Sequence, residues 1–327
     1  MPKVFSTLIV LFFFSQCSFK DDSSPKKLTI EEVSKELLKT PKDSLLLKIR
    51  RDLFLETRNW SGAILDQEQL FYLDTLNQKR RYDLAKLYLD FSDSNSSYFL
   101  KSYSLLNELN INFAPLFLLR GKQNYIIQNY QQSFEELNSY LRQVPNDFEA
   151  YYYKGLVYKE VGDIQMAKSQ FQTAVEQNPN HIQSYTELGH IYSSLNDTLA
   201  QYYFENAVRE DSSNIISLYN LAMYFQKHEK YSLSVDVYNQ ILEIDSNDID
   251  ANYNLGYIYL LEGNFELALN YFEIVASIST DNSSAYFAMG LTSKLLEKNE
   301  QAKLYFKKTL EIDPNFKEAK RELGGLK

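Results

Sequence analysis

The chain reads as an all-α array of antiparallel helix pairs. Small residues Gly121, Gly155, Gly189, Ala222, Gly256, Gly290 and Gly324 recur at intervals of 34, 34, 33, 34, 34 and 34 residues. Around each of them apolar residues are spaced by three and four, which gathers them on one face of a helix. Proline, which ends a helix that reaches it, keeps the same beat: Pro145 to Pro179 is one period, and Pro179 to Pro314 is four periods less one residue.

The amino terminus stands apart from this pattern. Lys3 precedes the apolar run Val4 to Phe14, interrupted only by Ser6 and Thr7, too short for an ordinary spanning helix and suited to the central region of a signal peptide. Cys17, the only cysteine, follows, and then the mostly polar run Ser18 to Lys27. Residues 1–17 resemble a bacterial lipoprotein signal, with 1–16 removed, Cys17 lipidated and 17–29 a polar linker. The cleavage box departs from that pattern, with Phe14 where leucine is usual and Gln16 where a small residue is usual. A secreted protein with one unused thiol, or an uncleaved hydrophobic anchor, fits the same residues. Ser18 after the cysteine is similar to lipoproteins sent to the outer membrane, and Lys20-Asp21-Asp22 resembles a short surface-export tag; periplasmic and surface-exposed faces both stay open. The acyl chains of such a lipoprotein would hold it in a bilayer, since each buried CH₂ contributes about 0.8 kcal/mol.

Thr29 with Glu32 forms a capping-box signature that opens a helix over Ile30 to Lys39, the second half of a unit ending before Pro41. Residues 30–113 read as degenerate repeats, one from Ser44 to about Asn77 around the turn Asn59-Trp60-Ser61-Gly62-Ala63, and one from Gln78 to about Phe113. Pro41 to Pro145 is three periods plus two residues, and the two extra residues are placed near Ser92 to Ser97. Six better units follow at 114–147, 148–181, 182–214, 215–248, 249–282 and 283–316. The residue missing from 182–214 is placed in the turn Asn196-Asp197-Thr198.

The clearest unit, 148–181, carries Tyr151, Gly155 and Tyr158 on its first helix, a turn at Gly162-Asp163, and Ala167, Phe171 and Ala174 on its second. Gly155 and Ala167 are expected where the two helices cross closely. The second-helix aromatic recurs as Phe204, Tyr238, Phe272 and Phe306, its small partner as Ala200, Ser234, Ala268 and Ala302, and the first-helix aromatic as Tyr192, Phe225 and Tyr259. Residues 317–327 begin one more first helix, which is expected to cap the array.

With these ladders the chain resembles the tetratricopeptide repeat family, strongly from Phe148 to Phe316 and recognisably from Ala114. The resemblance implies a right-handed superhelical solenoid of about eight units, the first two degenerate, with a carboxy-terminal capping helix. It also implies that first helices line a concave groove, with positions three before and one after the ladder residue facing into it. In this sequence those are Tyr152 and Leu156, Thr186 and His190, Tyr219 and Met223, Tyr253 and Tyr257, Phe287 and Leu291. The groove is therefore expected to be aromatic and apolar, and suited to an extended or helical protein segment. Members that clamp an acidic carboxyl-terminal peptide use lysine where this chain has Tyr152, Tyr219 or Tyr253, and asparagine where it has Leu156, Met223 or Tyr257; that clamp is absent.

Charge and composition narrow the function classes. A net charge of -9 and a pI near 5.1 argue against nucleic acid as partner, which needs clustered Lys and Arg. One cysteine permits neither an intrachain disulfide nor a thiolate zinc cluster. His181, His190 and His228 form no ligand or triad motif, and the glycines follow the repeat rather than a phosphate-cradling turn. No cofactor or enzymatic activity is expected. The expected partners are proteins or peptides, with the membrane reached through the anchor; glycan capture is the less favoured alternative, since the chain has one Trp and no large insertion.

Overall fold

A computed structural model describes residues 28–92 and 96–326. Cys17 and the expected signal segment lie outside the described residues. Among those described, every regular element is a helix, and the fold is a helical solenoid. The helices are α1 Ile30–Lys39, α2 Ser44–Glu56, α3 Trp60–Tyr72, α4 Gln78–Asp90, α5 Ser96–Asn107, α6 Ala114–Ile126, α7 Tyr130–Leu141, α8 Phe148–Glu160 and α9 Ile164–Gln177. They continue as α10 Ile182–Ser194, α11 Leu199–Glu210, α12 Ile215–Lys227, α13 Tyr231–Ile244, α14 Ile249–Leu261, α15 Phe265–Ile278, α16 Ser283–Leu295, α17 Asn299–Ile312 and α18 Lys317–Gly325. The chain divides into two compact units at Gln123/Asn124.

In the second unit Gly155, Gly189, Gly256 and Gly290 are each a seat for an aromatic ring, whereas Gly324 in the last helix has nothing within 4 Å of its missing Cβ. A Cβ on Gly155 would fall 2.5 Å from Phe171, and one on Gly290 would fall 2.5 Å from Phe306. Gly189 faces Phe204 at 2.6 Å and Gly256 faces Phe272 at 2.8 Å in the same way. All four rings are buried. This corrects the expected pairing of Gly155 with Ala167: Ala167 is fully buried, but the atoms nearest the missing Cβ belong to the ring of Phe171. Residue 222 is alanine, and the ring of that unit is Tyr238.

The turn inside each pair repeats as regularly as the core. Gln128, Gly162, Asn196, Glu229, Gly263 and Glu297 all have positive φ, between 53° and 85°. Each ends its first helix in a left-handed residue, and the next N–H reaches back five residues, as from Asp163 to the Tyr158 carbonyl (2.9 Å), Lys230 to Phe225 (2.9 Å) and Lys298 to Ser293 (2.9 Å). That bond satisfies a carbonyl the helix leaves open. Only two of these six positions are glycine.

First helices start behind an acidic or amide cap: the Asp147, Asn214, Asp248 and Asn282 side chains accept from backbone N–H groups of the first turn. His181 takes that place before α10 and makes no side-chain cap bond. The missing residue of 182–214 falls where the ladders put it. Asn196 keeps its phase, whereas Ala200 arrives one residue early, and in the shortened turn Thr198 is helical and makes no cap bond, while Asp197 Oδ1 accepts from the Leu199 N–H (2.9 Å).

The first unit keeps the hairpins but changes their chemistry. α1 opens with the capping box, Thr29 Oγ1 accepting from the Glu32 N–H (3.2 Å) and Glu32 accepting from the Thr29 N–H (3.0 Å). In the α2/α3 pair the ladder position is Arg51 and the aromatic position is Gln67, and Arg51 Nη1 donates to Gln67 Oε1 at 2.6 Å. Beside them Arg50 donates twice to Asp66, from Nε (2.9 Å) and Nη2 (2.6 Å), and once to Ser34. Asp66 is 1% exposed. Trp60 stacks on Phe91 with ring centroids 4.4 Å apart.

In the α4/α5 pair Ala85 stands on the ladder, and Ser102 Oγ donates to its carbonyl (2.6 Å) while accepting from Gln123 Nε2 (2.7 Å). Ser234 bonds the Ala222 carbonyl likewise (2.9 Å). Ser102 is therefore the small partner, and it lies 17 residues after Ala85 where Ala167 lies 12 after Gly155. The connection from Asp90 to Ser96 is two residues longer than that from Glu160 to Ile164, the expected insertion, and α5 begins three residues further ahead of its small partner than α9 does.

Candidate protein-binding face

First helices of successive units neighbour each other directly, α10 beside α12 and α14 beside α16. This brings the expected groove positions of the second unit onto one series of helices. Tyr152, Thr186, Tyr219, Tyr253 and Phe287 are all half-buried. Four of them lean on the ring of their own second helix: Tyr152 on Phe171 (5.8 Å), Tyr219 on Tyr238 (6.1 Å), Tyr253 on Phe272 (5.4 Å) and Phe287 on Phe306 (5.7 Å). Thr186 turns its hydroxyl to the Ile182 carbonyl (3.0 Å). The four aromatic ones thus brace the second-helix rings and keep part of their surface in solvent.

The positions one after the ladder divide. Leu156 is 7% exposed and belongs to the core, so it is withdrawn from the expected binding surface; α8 brings Tyr152 over the same ring and closes it off. Leu291 is half-buried against the Phe306 cluster. His190 is exposed with its ring edge-on to Phe204 (5.2 Å), and burial of that inner side lowers its pKa. Met223 and Tyr257 are 39% and 42% exposed. They meet across an open depression of about 290 Å³ lined also by Gln226, Lys227, Glu229, Tyr231 and Leu261.

Tyr238 supplies the floor of that region. Fully buried, it sends its hydroxyl through to the first helix, 3.0 Å from Gln226 Oε1 and 3.1 Å from Met223 Sδ. Burial pushes the phenol pKa far up, so it remains a donor. It is the one hydroxyl among the five second-helix rings, and it lies in the one of those five hairpins whose ladder residue is alanine.

Two residues of this face were not expected from the repeat. Leu261 and Leu295, both exposed, end α14 and α16 at a register where the earlier units have Glu160, Ser194 and Lys227. The break from polar to apolar at that register is the signal that marks them. Between first helices, Lys159 pairs with Glu187 (2.6 Å) and Lys294 with Glu322 (2.8 Å) at equivalent positions. Among the described residues no group of His, Cys, Asp and Glu is placed to hold a metal ion, and no helix is long and apolar enough to cross a membrane.

Comparison with known proteins gives the same architecture. Residues 148–181, 237–270 and 283–316 each match a tetratricopeptide repeat model. The first and last coincide with whole hairpins, and the middle one begins inside α13, covers α14 and ends inside α15. Over those segments the chain is similar to tetratricopeptide repeats. No curated protein sequence matches the chain. Among solved structures, the C-terminal part of a TPR repeat-containing protein from Cytophaga hutchinsonii is similar over 72% of this chain and 98% of its own, with a TM-score of 0.62 and 18% identity. The Cut9–Hcn1 assembly of the APC/C is similar over 91% of this chain and 58% of its own (TM-score 0.52, 16% identity). Pseudomonas aeruginosa pilF is similar over 65% of this chain and 97% of its own (TM-score 0.52, 14% identity).

Proposed function

We propose that the protein is a non-enzymatic scaffold, lipid-anchored through Cys17 at the bacterial cell envelope, that holds a partner protein on its first helices. One observation carries the binding reading: Met223 and Tyr257, on adjacent first helices, leave large apolar surfaces in solvent around a depression. Exposed apolar surface grouped in this way is what a partner's anchor side chain fills. The anchor reading rests on the sequence around Cys17 alone, and it leaves the periplasmic and the surface-exposed face as alternatives.

The test is a crosslinking recovery from intact cells, comparing the native protein with a Met223→Ala/Tyr257→Ala variant. These two are chosen over Tyr219 and Tyr253, whose rings brace Tyr238 and Phe272. A protein recovered with the native chain and lost with the folded variant supports the binding face; equal recovery removes it. Cys17→Ala tests the anchor independently: release from the membrane fraction supports lipidation, and unchanged fractionation removes it.

A further inference from the structure

We infer that the segment received by the Met223/Tyr257 depression is basic and apolar together, a stretch of Lys or Arg interleaved with large apolar residues. The inference rests on the binding face proposed above and adds the chemistry of its occupant.

The apolar half follows from the lining. Met223, Tyr257 and Leu261 surround the depression, and Leu261 is 49% exposed at the end of α14. A volume near 290 Å³ takes a large side chain. Aliphatic or aromatic anchors would cover surface that α12 and α14 leave in water.

The basic half follows from three independent sources of negative potential. The depression lies at the carboxy-terminal ends of α12 and α14, the negative ends of their helix dipoles. Glu262 follows α14 directly and Glu229 lies two residues past α12, both exposed and neither in an ion pair among the described residues. Residues 231–293 contain nine Asp and Glu and no Lys or Arg. The one cation on the rim, Lys227, donates to the Ser193 carbonyl (3.2 Å). An acidic segment would meet repulsion here, whereas a basic one gains both encounter rate and register.

The experiment titrates the folded protein with two synthetic helical peptides of one apolar pattern, leucines spaced by three and four, one carrying lysine at the remaining positions and the other glutamate. The expected result is binding of the lysine peptide alone, weakened about tenfold or more by Tyr257→Ala and several-fold by Glu229→Gln/Glu262→Gln, and weakened as salt rises. Lysine-peptide binding unaffected by all three substitutions would be general adhesion to an acidic surface and would overturn the inference. So would failure of both peptides. If the glutamate peptide bound equally well and Tyr257→Ala abolished both, the basic occupant would be wrong and the binding face would stand. Helical content of each variant, measured by circular dichroism, separates these outcomes from unfolding.

Discussion

The ring of Phe306 lies where a Cβ on Gly290 would have to be, 2.5 Å from that position. The same relation holds for Gly256 and Phe272, and it gives the repeat its tightest constraint: the glycine is required by what lies across the hairpin rather than by its own φ.

Gly256→Ala should therefore destabilise the second unit by roughly 1 kcal/mol or more, the overpacking cost exceeding the gain in helix propensity. Gly324→Ala is the control, because nothing stands within 4 Å of its missing Cβ. Urea denaturation of both variants checks this; an unchanged midpoint for Gly256→Ala would refute the ring-seat account.

Glu229 and Glu297 hold φ of 57° and 60°, a region that costs a non-glycine residue about 1–2 kcal/mol. Glu229→Gly and Glu297→Gly should each raise stability by about 0.5–1 kcal/mol after the entropy of the unfolded glycine is counted. Thermal melts would show it as an upward shift for each variant, and a downward shift for both would contradict the prediction.

His181 packs its ring between Phe148 and Tyr152, each 4.9 Å away, with Nδ1 2.7 Å from Ser184 Oγ. Burial lowers its pKa below the usual 6.5, so between the folded and unfolded values the unfolded chain binds more protons. Stability is then fully present above about pH 6.5, falls as pH drops through that range, and levels off below the folded value. His181→Asn should flatten the dependence while supplying the side-chain cap that α10 lacks; melts from pH 7.5 to 5, roughly the histidine range, measure it. His190 is shifted in the same direction, so some slope should remain.

Asp66→Ala in the first unit should cost about 3 kcal/mol, because Arg50 would keep a partly buried charge with its main partner gone. The hydrogen bonds to Asp66 are the chief reason the Arg50 pKa is raised. Replacing both, Arg50→Met with Asp66→Leu, should recover most of that loss, and chemical denaturation of the single and paired variants distinguishes pairing from packing.

The 34-residue ladders made the second unit legible, since glycine, small residue, aromatic and turn recur with little variation and each constrains one contact. Legibility stopped where side chains trade places. Arg51 and Gln67 occupy the glycine and phenylalanine positions as a hydrogen-bonded pair, and no apolar period reports such an exchange. Leu156 shows the limit at the binding face. Its register pointed to the surface, yet packing of α8 buried it, because register alone carries no information on how closely a neighbour approaches. Leu261 and Leu295 show the converse, visible in the sequence only as a departure from the polar residues at equivalent places.

Trp60, stacked on Phe91, is the chain's only tryptophan and lies in the first unit. Indole emission therefore reports the opening of residues 28–123 alone, while far-ultraviolet ellipticity follows every helix. A denaturation recorded at both wavelengths would show, without any label, whether the amide-and-arginine hairpins give way before the glycine-and-phenyl ones or together with them.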